Sequence, residues 1–143
     1  MSVSQCATAA SNVSNRAASG VSVDQLTWLE VGPAVARVDV QLRLTGDASA
    51  LGTLEIAASP QLKLLPLSED SPVEVVQSFP GSTIVTELKF RAPPRLPVTI
   101  PLQFQVQRSV SLGHIDFPSV RVLGVETASH HFAASVDARL RAR

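Results

Sequence analysis

Tyrosine is absent from this chain, tryptophan and cysteine occur once each, and aromatic residues make up only 4% of its 143 positions. Single-stranded nucleic acids are held on aromatic platforms beside basic residues. Five phenylalanines and one tryptophan, mostly at apparent core positions, do not supply such a surface. An excess of charge is missing too: 12 Lys and Arg stand against 12 Asp and Glu. A neutral balance leaves no electrostatic footprint for a phosphate backbone, so no nucleic-acid partner is expected. The lone Cys6 cannot close an internal disulfide, which points to a reducing compartment or to indifference to redox. No apolar run approaches the roughly 18 residues of a membrane-spanning helix. The opening MSVSQCATAASNVSNRAASG has neither the basic start nor the apolar run of a secretory signal. With Met1 taken as the natural start, the expectation is a cytoplasmic protein without a membrane span.

Signatures of catalysis are equally scarce. There is no Gly-x-Ser-x-Gly elbow, no glycine-rich phosphate loop and no cysteine pair. The histidines are His114, His130 and His131. Adjacent residues of a strand point to opposite faces, so His130 and His131 cannot both hold one metal ion. Glu69 and Asp70 sit in a polar turn, where solvated charge is expected. Asn12-Val13-Ser14 matches a glycosylation sequon, a triplet common by chance. We expect no enzyme activity, no catalytic residue, no metal and no cofactor.

What the chain does have is alternation. In VTIPLQFQVQ, Val98, Ile100, Leu102, Phe104 and Val106 alternate with Thr99, Pro101, Gln103, Gln105 and Gln107. In ARVDVQLRLTGD, Val38, Val40, Leu42 and Leu44 oppose Arg37, Asp39, Gln41 and Arg43. Strict period two means a strand with one buried and one wet face. Leu54 and Ile56 in LGTLEIAAS repeat the pattern, as do Ile84, Thr86, Leu88 and Phe90 in TIVTELKF. Pro101 faces outward without an N–H to donate, which predicts an edge-facing side or a bulge there. The first strand, VSVDQLTWLEV, fits less cleanly. Its apolar residues Val21, Val23, Leu26, Trp28 and Val31 change phase, which predicts an irregularity. Trp28 reads as a core or rim aromatic, with a ligand platform as the alternative.

Turn signals recur about every 8–12 residues, and the ten prolines fall mostly between strands. This spacing predicts an all-β, immunoglobulin-like antiparallel β-sandwich of about seven to nine strands. Residues 1–20, rich in Ser, Ala and Asn without periodicity, read as a disordered leader or linker. Residues 21–143 read as one domain. The last segment is ambiguous. Phe132, Ala134, Val136, Ala138 and Leu140 alternate as in a strand, while Phe132, Val136 and Leu140 recur at the helical i, i+4 spacing. Continuity with the alternation of the body favours strand.

The run LGTLEIAASPQLKLLPLSEDSP, then GSTIVTELKFRAPPRLPVTIPLQFQVQ, then GHIDFP resembles the appendage, or ear, domain of clathrin-adaptor large subunits, over about residues 52–118. The resemblance implies a non-catalytic module that binds protein or peptide partners within a larger, trafficking-type assembly. Ears of the gamma type place basic residues after the Ala-x-Pro bend and on the long strand. Here Gln61 follows Pro60, and no Lys or Arg lies between Val98 and Gln107. The basic side chains available to a peptide are therefore Lys63 beside Leu62 and Leu64, and Lys89, Arg91 and Arg95 around the proline-rich connector. Strand edges marked by proline, at residues 61–67 and 91–97, are where an extended peptide is expected to add. The neutral Gln103, Gln105 and Gln107 form the next candidate surface. A structural immunoglobulin-like module of an envelope or extracellular protein is the alternative.

Overall fold

Wherever the described part of the sequence alternates, the backbone is strand. The computed structural model describes residues 5–6, 20–47, 51–107 and 118–136. These residues form β1 (Gln5–Cys6), β2 (Val21–Val31), β3 (Ala36–Gly46), β4 (Thr53–Ala58), β5 (Leu62–Leu64), β6 (Val73–Phe79), β7 (Ile84–Phe90), β8 (Val98–Val106), β9 (Val120–Leu123) and β10 (Glu126–Val136). Two sheets face each other, one in the order β1-β10-β2-β3-β8-β5 and one in the order β6-β7-β4-β9. The predicted all-β sandwich is what forms. Among the described residues no helix is long and apolar enough to cross a membrane.

One core lies between the sheets. From the six-stranded sheet it takes Val38, Val40, Leu42 and Leu44 of β3 and Ile100, Leu102 and Phe104 of β8. From the four-stranded sheet it takes Leu54 and Ile56 of β4, Leu88 and Phe90 of β7, and Val120 and Val122 of β9. Every one of these was legible from period two except the β9 pair, whose strand is only four residues long.

Pro101 is tolerated because β5 is short. That strand pairs with β8 only opposite Phe104, Gln105 and Val106, so at Pro101 β8 has a neighbour on one side only. The ambiguous C-terminal segment is strand as far as Val136: β10 spans Glu126–Val136 and pairs with β2 in parallel. This is the one parallel ladder among the described strand pairs of an otherwise antiparallel sandwich. The chain reaches it by switching sheets at Gly124, whose φ of 74° suits glycine. Within the stretch expected to be a leader, Gln5 and Cys6 pair with Phe132 and His131 at the outer edge of β10. Asn12, His114, Phe117 and residues 137–143 lie outside the described residues, as do the remaining residues of 1–4 and 7–19.

β2 corrects the expected irregularity. It pairs with β3 without interruption from Val21↔Gly46 to Val31↔Ala36. An unbroken strand cannot change phase, so its inward row is Val21, Val23, Gln25, Thr27, Leu29 and Val31. Gln25 and Thr27 are buried, at 2% and 1% exposure, and Leu26 and Trp28 are turned out.

Candidate functional site

The outer face of the six-stranded sheet can be read as a grid, because directly paired residues share a face. One row runs Leu26–Gln41–Pro101 across β2, β3 and β8, with His131 of β10 beside Leu26. The next runs Trp28–Asp39–Gln103, with Ala133 beside Trp28. A third runs Glu30–Arg37–Gln105 and ends on Lys63 of β5. On the other side lies Asp24–Arg43–Thr99. An apolar centre of Leu26, Trp28 and Pro101 is thus surrounded by amides and paired charges.

Trp28 is 48% exposed, yet it is held: its indole Nε1–H donates to Ser135 Oγ on β10 at 2.9 Å. A fixed aromatic presents contact area at low entropic cost. Arg37 donates to Glu30 at 2.9 Å and stands 3.6 Å from Asp39 Oδ2. The second carboxylate oxygen, Asp39 Oδ1, is buried and has no hydrogen-bond partner. A depression of about 290 Å³ is lined by Leu26, Trp28, Asp39, Gln41, Pro101 and Gln103.

Beneath this face the buried polar row forms a relay. Gln25 Nε2 donates to the carbonyl of Val120 on β9, 2.7 Å away, and to Thr27 Oγ1 at 3.1 Å. Thr27 Oγ1 is also 3.1 Å from His130 Nε2. A carbonyl can only accept, which orients the Gln25 amide; the Thr27 hydroxyl, with one hydrogen and two lone pairs, accepts from Gln25 and can donate to His130 or accept from it according to the imidazole tautomer. Burial, and secondarily the neighbouring His131, holds His130 below the ordinary histidine pKa. His131 lies beside Leu26 on the opposite face, so the two histidines do diverge. Among the described residues, no three His, Cys, Asp or Glu side chains gather closely enough to hold a metal ion.

The residues expected to bind a peptide do not share one surface. Leu62 is 2% exposed and belongs to the core, and Leu64 packs against that core. Lys63 stands on the outer face of the six-stranded sheet, opposite Gln105. Lys89 points from β7, in the other sheet, beside Thr53 and Glu74. Lys89 and Arg91 line a second depression of about 510 Å³ with Asp47, Phe90 and Pro93. Arg95 is exposed in the connector to β8. Position 105, against which Lys63 pairs, is seven residues beyond the start of β8 at Val98, or roughly 23 Å at the rise of an extended strand.

Leu26, Asp39, Gln41 and Pro101 were missed as surface residues of interest. The signal was available. Holding β2 to an unbroken period of two puts Gln25 and Thr27 inside and Leu26 and Trp28 outside, a local inversion of the usual preference.

No family model matches the chain, and no curated protein sequence matches it. Among solved structures, a non-cellulosomal cohesin from the hyperthermophilic archaeon Archaeoglobus fulgidus is similar to it at 12% identity, over 85% of this chain and 94% of that one, with a TM-score of 0.43.

Proposed function

We propose that this domain is a non-catalytic interaction module that docks a protein partner on the outer face of its six-stranded sheet, centred on Trp28. The observation that carries the reading is the inverted strand β2, which buries Gln25 and Thr27 while Leu26 and Trp28 stand exposed. A core built for stability alone would place them the other way, since buried amides and hydroxyls need partners and exposed apolar groups gain nothing. Apolar centre, polar surround and an anchored tryptophan are the anatomy of a protein interface. Pull-down followed by affinity measurement with wild type, Trp28→Ala and Leu26→Asp tests it. Loss of a central tryptophan should weaken binding by about 2 kcal/mol or more, roughly thirtyfold. Partners that bind Trp28→Ala and Leu26→Asp as well as wild type would remove this face.

A second reading is favoured by the depression holding Lys89 and Arg91. These two cations would receive an acidic, hydrophobic peptide there, in keeping with the ear resemblance and its cytoplasmic, adaptor-type setting. Lys89→Glu with Arg91→Glu separates the readings, because neither residue lies on the Trp28 face.

A further inference from the structure

Resting on the reading that the Trp28 face docks a protein, we propose that the partner inserts an arginine side chain between Trp28 and Asp39. Four observations converge on that residue type.

The first is the orphaned oxygen. Asp39 Oδ1 is buried and has no hydrogen-bond partner. An ionised carboxylate only accepts, and Oδ1 is closed to solvent in the free protein, so the group that completes this site must donate as the partly exposed Asp39 carboxylate turns towards the depression. The second is local charge. Glu30 and Asp39 share one guanidinium, that of Arg37, and the closer contact goes to Glu30. Arg43 is four residues along β3 from Asp39, roughly 13 Å at strand rise, and Lys63 lies two strands away beside Gln105. A neutral donor would satisfy Oδ1 and leave the charge uncompensated, whereas a cation satisfies both.

The third is the aromatic wall. Trp28 is directly opposite Asp39 in the register, half-exposed, and tied to Ser135 through its ring nitrogen. A guanidinium stacks on an indole face and donates in its own plane, which an ammonium cannot do as well. The fourth is size and lining. The depression, about 290 Å³, falls just below the range for small-molecule pockets, roughly 300–1,000 Å³. It suits a single long side chain. Leu26 and Pro101 offer apolar contact for the methylene stem, and Gln41 and Gln103 bring amides to the remaining N–H groups.

The chain has a single tryptophan, so its one indole N–H resonance reports this site without ambiguity. The experiment titrates the intact protein with acetyl-Leu-Arg-Leu-amide, with the same peptide carrying citrulline, and with the same peptide carrying lysine, following that resonance by NMR. Citrulline keeps the shape of arginine and lacks its charge. The arginine peptide should shift the resonance saturably, with the citrulline peptide at least fivefold weaker and lysine between them. In Asp39→Asn the arginine peptide should fall to the citrulline level, while the melting temperature changes little, because the partly exposed Asp39 is the more distant of the two carboxylates that share Arg37. Equal binding of arginine and citrulline peptides, indifference to Asp39→Asn, or no shift with any peptide would overturn the proposal. So would a shift produced by a neutral oligosaccharide such as cellotetraose, which would make Trp28 a sugar platform. A protein partner lost on Trp28→Ala yet unaffected by Asp39→Asn would keep the docking face and remove the arginine.

Discussion

His130 shows how a single inward polar residue makes the fold sensitive to acid. Its Nε2 lies 3.1 Å from the Thr27 hydroxyl, whose oxygen accepts from Gln25, and burial holds its pKa below the ordinary value near 6.5. Burial disfavours the charged imidazolium relative to the neutral ring. Between the lowered folded value and 6.5 the unfolded chain therefore binds more protons than the folded one. Stability is full above about pH 6.5 and declines as pH falls through that window. Melting temperatures measured from pH 5 to 8 should show the decline in wild type and a shallower one in His130→Gln. An unchanged acid slope would place the sensitivity elsewhere. His131, exposed beside Leu26 on the opposite face, lies outside this relay.

Elements carry constraints that no single side chain reveals. At the end away from its hairpin turn, the β2–β3 ladder closes at Val21↔Gly46, where Asp47 N–H donates across to Gly20 C=O at 2.9 Å. Gly46 has φ of 114°, and a Cβ there would fall on the Gly20 carbonyl. Gly46→Ala should cost about 1–3 kcal/mol from backbone strain alone, read by urea unfolding, with the clash adding to it. Gly52 has nothing near its would-be Cβ, so Gly52→Ala should stay within about 0.5 kcal/mol. The edge strand β6 illustrates the opposite pressure. It exposes Val75, Val76 and Phe79, and an irregularity between Val75 and Gln77 interrupts its pairing with β7. A bulge twists an edge away from further pairing, a common defence where apolar strand residues are exposed.

At the scale of the whole molecule, the two sheets depend on one core, and Phe104 is among its largest members. Phe104→Ala should lose about 3–5 kcal/mol in equilibrium unfolding, a large share of the roughly 5–15 kcal/mol that holds such a domain together. A loss below about 1 kcal/mol would mean that β8 packs differently from the arrangement described. Trp28→Ala, by contrast, removes an exposed ring and should leave the fold standing while affecting binding. The contrast separates what the sandwich needs from what its surface is for. The sheets are unequal, six strands against four, and the shorter one ends at β9. The Gln25 amide reaches across to the Val120 carbonyl at that edge, a polar tie between the sheets.

Period two in residues 36–46, 53–58, 84–90 and 98–106 determined by itself that the chain folds as a sandwich, and which side chains fill it. Alternation is a local property, and burial of one face follows from it without knowledge of the partner strand. The same reasoning failed on β2, because it let apolar residues choose the face when the unbroken ladder to β3 had already chosen it. Only tertiary structure decided that Gln25 and Thr27 are inside, since their partners, Val120 and His130, lie 95 and 103 residues away. The parallel pairing of β10 was likewise invisible, because orientation depends on where Gly124 sends the chain between sheets. Lys63 and Lys89 were grouped by their nearness to proline-marked strand edges and separated by topology, one on each sheet. The surface around Trp28 and Asp39 exists only once three strands are aligned side by side: no stretch of sequence holds Leu26, Asp39 and Pro101 together, and the ladder registers do.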